Sequence, residues 1–327
     1  MNVSARSAAD EPKCVLERLP LRGAGGEPVD FRATLRSHGL GWLAPNTVDE
    51  AGRTFETTLA FEGRARVLRV WEDPPGSLAL AASGRAPGAK LRAGLVAAVR
   101  TIFSLDDDLA PFYARVAADR ELRFATGGFG RLLRSPSAFE EVVRTICTTN
   151  CAWSATTRMI EALVGSLGTR ASGVPQAGWR GRAFPTAAQV ASADESFFRD
   201  VARAGYRGAY LRGLAAAVAE GRIDLEAWRA APRAELPDAE LEKRLRALPG
   251  VGPYAAAHVM LLFGRRSRLV LDSWTRPTYA RLVKKRSVAD ATIERRFRAY
   301  GDEAGLAFWL FLWKRYFDEA PEGFLPP

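Results

Sequence analysis

Cysteine is scarce in this chain. Three occur in 327 residues, Cys14, Cys147 and Cys151, and no CxxC pair is among them. Histidine is rarer still, at two, so no Cys/His cluster of ligand spacing exists. These shortages argue against a structural zinc site, an iron–sulfur cluster or any other metal centre built on Cys and His. They argue equally against a disulfide framework and fit a reducing compartment. No apolar run approaches the roughly 20 residues that span a bilayer. Met1 to Lys13 lacks the apolar centre of a signal peptide. The expectation is a cytoplasmic protein with no membrane partner.

Positive charge, by contrast, is in excess. There are 47 Lys and Arg against 37 Asp and Glu, a formal charge of +10. Arginine dominates the basic residues, and its planar fork suits phosphate oxygens. No basic amphipathic helix stands out, so the balance favours a nucleic acid over a membrane surface. The hydrophobic fraction, 47%, is that of a globular protein. The length admits two or three domains.

The predicted fold class is α+β, with a small antiparallel β-sheet domain followed by a mostly α-helical one. Residues 1–13 read as a disordered tail and 14–105 as the α+β domain. Phe55, Thr57, Leu59 and Phe61 alternate as in a half-buried strand. Glu62-Gly63 is a turn, 65–71 the returning strand, and 77–82 a further partner. A helical pattern resumes over 88–103. Residues 106–327 read as the helical domain. Helices are expected over 109–118, 137–145 (started by Ser135-Pro136), 154–167, 206–219, 237–247, 253–263, 273–283, 291–300 and 306–317. Residues 168–182 read as a surface loop, and Thr186 and Asp194 as caps of short helices.

The chemistry gathers at Leu248-Pro249-Gly250-Val251-Gly252 and the apolar helix after it. Two helices joined by these residues make a helix–hairpin–helix. Glycine at 250 and 252 allows positive φ and close approach of another backbone. Pro253 suits a first helical turn. The unpaired N–H groups and dipole of that helix make an anion site that reads no base sequence. An ordinary glycine-capped turn would use the same residues. Beyond the apolar helix lies Leu269-Val270-Leu271, then Asp272 at the head of a further helix. A carboxylate beside a phosphate site can stabilise a sugar cation and orient water. A plain structural N-cap is the alternative for the same acid. Pro277, in the first turn of that helix, must displace a hydrogen bond or kink it.

The run LPGVG, an apolar helix and LVLDSW resembles the helix–hairpin–helix DNA glycosylase superfamily. The segment LLRSPSAFEEVVRTICTTN is similar to the matching stretch of 8-oxoguanine DNA glycosylases. Phe184-Pro185-Thr186, Gly205-Tyr206-Arg207-Gly208-Ala209-Tyr210 and Gly305-Leu306-Ala307-Phe308-Trp309 also look like family blocks. The β-rich start is similar in layout to the extra domain of 8-oxoguanine glycosylases and 3-methyladenine glycosylases II. The resemblance implies base-excision repair on double-stranded DNA by a monomer. It implies Asp272 as the catalytic aspartate and Gly250, Val251 and Gly252 as the phosphate-binding hairpin, which in relatives also holds a monovalent cation. It implies Tyr206 as a wedge, and Arg207 and Asn150 as groups facing the orphaned partner base.

The departures sharpen the expectation. Bifunctional relatives place a nucleophilic lysine two residues past the hairpin's last glycine, where this chain has Tyr254. Without an amine there, water must attack, so a monofunctional enzyme without lyase activity is expected. The family's cytosine-reading arginine is matched by Ala155, with Arg158 one turn on. Tyr254, His258 and Trp274, with Trp153 as a further candidate, are expected around the flipped base. Electron-rich rings favour a positively charged alkylated purine. Trp153 and Phe308 to Trp313 read rather as core, and His258 as either a satisfied core histidine or a pocket donor. The other readings are an 8-oxoguanine-type glycosylase without lyase activity and a non-catalytic lesion-binding module.

Overall fold

A computed structural model describes residues 15–49 and 53–319, with side chains through Lys314. The expected tail, 1–13, lies outside the described residues. The β-rich start forms one antiparallel sheet of β1 (Glu17–Pro20), β2 (Thr47–Asp49), β3 (Thr54–Phe61), β4 (Arg64–Glu72) and β5 (Ser77–Ala82), in the order β1-β5-β4-β3-β2. The long hairpin is in the register Phe55↔Val70 and Thr57↔Leu68. That register puts Phe55, Leu68, Val70 and Leu80 on one buried face. Between β1 and β2 the chain is helical rather than β. A short helix, α1 (Phe31–Leu35), is capped by the Asp30 carboxylate on Ala33 N, and a 3-10 turn, Gly39–Trp42, comes next. The residues after β5 wind into α2 (Ala89–Ile102), whose Leu95, Val99 and Ile102, followed by Phe103, cover the sheet.

Helices make up the rest: α3 (Ala110–Val116), α4 (Ala138–Thr148), α5 (Trp153–Leu167), α6 (Ala187–Ala191), α7 (Arg207–Ala219), α8 (Leu225–Ala230), α9 (Asp238–Arg246), α10 (Pro253–Leu262), α11 (Thr275–Leu282), α12 (Asp290–Phe297) and α13 (Ala304–Glu319). Caps explain several starts. Ser137 accepts from Glu140 N, Thr186 closes a capping box with Gln189, and Asp224 caps α8, a helix absent from the expected set. The segment after Asp194 is not an ordinary capped helix. It winds as a π-helical turn, Phe197–Val201.

The sheet and helical cores interleave. Leu40, Leu43 and Ala44 pack with the helical core, and Leu133 packs with the sheet. Buried charge fixes these crossings. Arg144 of α4 donates to Leu40 O at 2.8 Å and Ala44 O at 3.1 Å while pairing with Glu140. Arg131 pairs with Glu27, whose carboxylate also accepts from Leu109 N. The 168–182 loop lies against the sheet, with Ala171 bridged to Ala65. Among the described residues no helix is long and apolar enough to cross a membrane.

Candidate active site

Helices α9 and α10 form the expected helix–hairpin–helix. Gly250 has φ +83°, and a Cβ there would meet Tyr210 Cδ2 at 2.9 Å, so glycine is required on two counts. Gly252 is different. Its φ is −84°, which any residue adopts, and nothing lies within 4 Å of its would-be Cβ. The expectation of positive φ thus holds for Gly250 only, while Gly252 leaves open space at the head of α10. Val251 is buried and its N–H bonds to Leu248 O at 3.1 Å. Among the described residues the N–H groups of Gly250, Gly252 and Tyr254 have no acceptor, and the carbonyls of Pro249, Gly250 and Val251 no donor. The first set leaves donors of the kind an anion takes. The second supplies oxygen donors of the kind a monovalent cation takes. Among the described residues no group of three or more His, Cys, Asp or Glu could hold a metal ion.

Asp272 is half-buried at the head of α11. Its Oδ1 accepts from Trp274 N at 2.8 Å and Thr275 N at 2.6 Å, and its own N–H donates to Thr275 Oγ1 at 2.8 Å. Both the cap and a chemical role are open to it, because among the described residues Oδ2 accepts no hydrogen bond. Pro277 neither breaks nor kinks the helix. It falls in the first turn, where an N–H has no intrahelical acceptor. The 266–272 segment is held against α13 by Gly305, which donates to Arg266 O at 2.7 Å. A Cβ at 305 would lie 2.1 Å from Arg268 O.

The hairpin helix and the acid converge at Tyr254. Its hydroxyl contacts Thr148 Oγ1 at 3.1 Å and His258 Nδ1 at 3.4 Å. Burial pushes that hydroxyl up to about 12, against the bond to Thr148, and the nearby Asp272 carboxylate adds to the rise. From Tyr254 a chain of rings runs to His258 (5.9 Å), then Trp309 (5.9 Å), then Trp274 (6.0 Å). The three expected pocket residues are therefore together. Trp309, which the sequence left as core, joins them, and so does His38, whose ring lies 6.0 Å from His258. Beyond Trp309 is a small cleft of about 20 Å³ lined by Phe124, Phe129, Leu132, Trp313 and Lys314. Trp153 packs half-buried against the helical core instead.

Asn150 and Tyr206 form a separate exposed group. Asn150 sits at φ +49°, a conformation Asn tolerates, with its amide 3.5 Å from Tyr206 OH. Tyr206 is 52% exposed. Arg207, next to it, is buried, with Nε on Thr149 O and Nη2 on Asn150 O, each at 3.0 Å. Its guanidinium holds the turn that presents Asn150. Ala155 is half-buried, and Arg158 is exposed one turn along α5.

This sheet-plus-helices layout is the fold of the helix–hairpin–helix DNA glycosylases. The 3-methyladenine DNA glycosylase from Archaeoglobus fulgidus superposes with TM-score 0.69 at 18% identity, over 92% of this chain and 99% of that one. MBOgg1 in complex with a low-affinity DNA ligand gives 0.68 at 20% identity, over 92% and 96%. The Clostridium acetobutylicum 8-oxoguanine glycosylase/lyase, in complex with double-stranded DNA containing cytosine opposite 8-oxoguanine, gives 0.66 at 20% identity, over 89% and 93%. No protein-family model and no curated protein sequence matches the chain.

Proposed function

We propose that this protein is a monofunctional DNA glycosylase of base-excision repair that removes a damaged purine, an alkylated one foremost, from double-stranded DNA. One observation carries the reading. Asp272 has one carboxylate oxygen held by two backbone N–H groups and the other free, beside a half-buried Tyr254 where bifunctional members of the family the chain resembles carry the lysine nucleophile. A fixed anion of this kind stabilises positive charge as it develops on a sugar. A tyrosine whose proton is held up to about 12 offers no amine and no phenolate at neutral pH.

The hairpin N–H groups hold a phosphate of the lesion strand, and a monovalent cation on the Pro249, Gly250 and Val251 carbonyls would add positive charge there. Tyr206 fills the space left by the extruded nucleotide, with Asn150 beside it and Arg207 holding that turn. The base stacks among Tyr254, His258, Trp274 and Trp309. The C1′–N bond breaks with its electron pair leaving on the base, and Asp272 stabilises the resulting sugar cation. Water adds to C1′ as its proton passes to Oδ2. An alkylated purine fits best because it leaves as a neutral base and its positive ring is favoured by aromatic faces by roughly 0.5–2 kcal/mol.

Single-turnover base release from duplexes carrying 3-methyladenine, 7-methylguanine, 8-oxoguanine or hypoxanthine tests this. Release of the alkylated bases is expected, leaving intact abasic strands and no borohydride-trapped adduct. Release of none of the four would refute the enzyme reading. Strand nicking without alkali would refute the monofunctional one, and a clear preference for 8-oxoguanine the alkylated one.

A further inference from the structure

The chain's two histidines, 220 positions apart in sequence, meet in the ring cluster behind Tyr254. Both are buried, at 2% exposure for His38 and 5% for His258. Each has one ring nitrogen bonded and one, His38 Nδ1 and His258 Nε2, buried with no partner. The protonation of each ring is set by its neighbours. His38 Nε2 lies 2.7 Å from Leu133 O, and a carbonyl only accepts, so Nε2 carries the proton. Its Nδ1 is therefore a bare lone pair. For His258 the chain of donors starts at Thr148, whose hydroxyl donates to Thr145 O at 2.7 Å. The Thr148 oxygen is left to accept from Tyr254 OH, and the Tyr254 oxygen to accept from His258 Nδ1–H. That leaves His258 Nε2 as a second bare lone pair. Burial keeps both rings neutral, His258 at about 4 and His38 at about 3.

A buried acceptor without a donor costs free energy in the free protein and regains it when a ligand brings an N–H. The loop that carries His38 is fixed rather than slack. Ser37 O accepts from Trp309 Nε1 at 2.9 Å, and Ser37 Oγ accepts from Leu133 N at 2.9 Å. The two lone pairs are thus held beside the rings assigned to the flipped base.

We propose that His38 and His258 read the flipped base as paired acceptors, selecting a purine that presents an exocyclic amino group over its deaminated counterpart. This rests on the proposed base pocket, not on the hydrolysis. Two acceptors match the two N–H bonds of an amino group. Alkylation that leaves a purine ring cationic makes that group a stronger donor. A carbonyl in its place would set oxygen lone pairs against the two ring nitrogens. Sites built to bond a polar hydrogen discriminate strongly against analogues lacking it.

The test measures binding to duplexes carrying uncleavable 2′-fluoroarabino nucleotides. The bases are 7-methylguanine, 3-methyl-3-deazaadenine and, as deaminated matches, 7-methylxanthine and 3-methyl-3-deazahypoxanthine. Wild type is expected to prefer at least one amino-bearing base over its match by tenfold or more. His38→Phe and His258→Phe, which keep a ring and lose the acceptor, should each cut that preference by roughly tenfold. His258→Gln, which keeps an acceptor, should retain part of it. Abasic-site binding monitors folding and should be unchanged in all three. Equal binding of every matched pair by wild type, or an undiminished preference in both Phe variants, would overturn the proposal. Base release from natural lesions is scored separately. Discrimination without release would sink the glycosylase reading and leave this one standing, and release without discrimination the reverse.

Discussion

Replacing Asp272 with Asn separates the acid's two roles. The side-chain amide keeps an oxygen for Trp274 N and Thr275 N, now at 2.8 and 2.6 Å from Oδ1. What is lost to stability is the interaction of a charge with the helix N-terminus, about 0.3–1 kcal/mol. In a chain of this length that lowers the unfolding midpoint by no more than about 3 °C. What is lost to catalysis is larger. A carboxylate ~4 Å from a unit positive charge, at an effective dielectric of ~20, is worth ~4 kcal/mol. Removing it slows base release about a thousandfold. Asp272→Ala should add a cap loss of about 1 kcal/mol to the same rate defect. Single-turnover release, thermal unfolding and binding to abasic-site DNA are measured on all three proteins. If Asp272→Asn released base within about tenfold of wild type, or lost abasic-site binding in step with its rate, the acid would be a cap and nothing more.

Four further outcomes are expected from the geometry. Gly252→Ala should leave stability unchanged, since nothing lies within 4 Å of the new Cβ, yet weaken DNA binding and flatten its salt dependence. Gly250→Ala, at φ +83°, should instead unfold more easily by about 1–2 kcal/mol, and equal behaviour of the two variants in denaturant titrations would count against the hairpin argument. Arg207→Ala strips a charged donor from two carbonyls at 3.0 Å and should cost about 1.5–3 kcal/mol in denaturant unfolding; a loss confined to DNA binding would return Arg207 to the partner base. Finally, His258, packed against Tyr254 and Trp309 and facing His38 with Arg144 beyond it, is held down to about 4 from 6.5 by burial. The unfolded chain takes up that proton first, so its contribution is complete above about pH 6.5 and is lost toward pH 4. The unfolding midpoint of His258→Phe relative to wild type should therefore rise as pH falls through that window, and a constant offset would contradict a neutral His258.

The sequence by itself determined the short-range features. Alternation at Phe55, Thr57 and Leu59 gave the strand. The hairpin glycines, Pro253 and Asp272 marked the ends of their helices through bonds made within a few residues. The family blocks set their order, and the fold they implied is the one observed. Only the tertiary structure could decide where side chains meet. Arg207 is set by the resemblance to face the partner base, and nothing in the sequence tells that it is buried on the Thr149 and Asn150 carbonyls. Trp309 reads as one aromatic of an apolar helix and reaches across 272 positions to Ser37 O. His38 carries no motif and stands beside His258. Caps and periods are set by neighbours along the chain and leave a local signature. A lone pair buried without a donor depends on which distant elements close around it, and no local pattern records that.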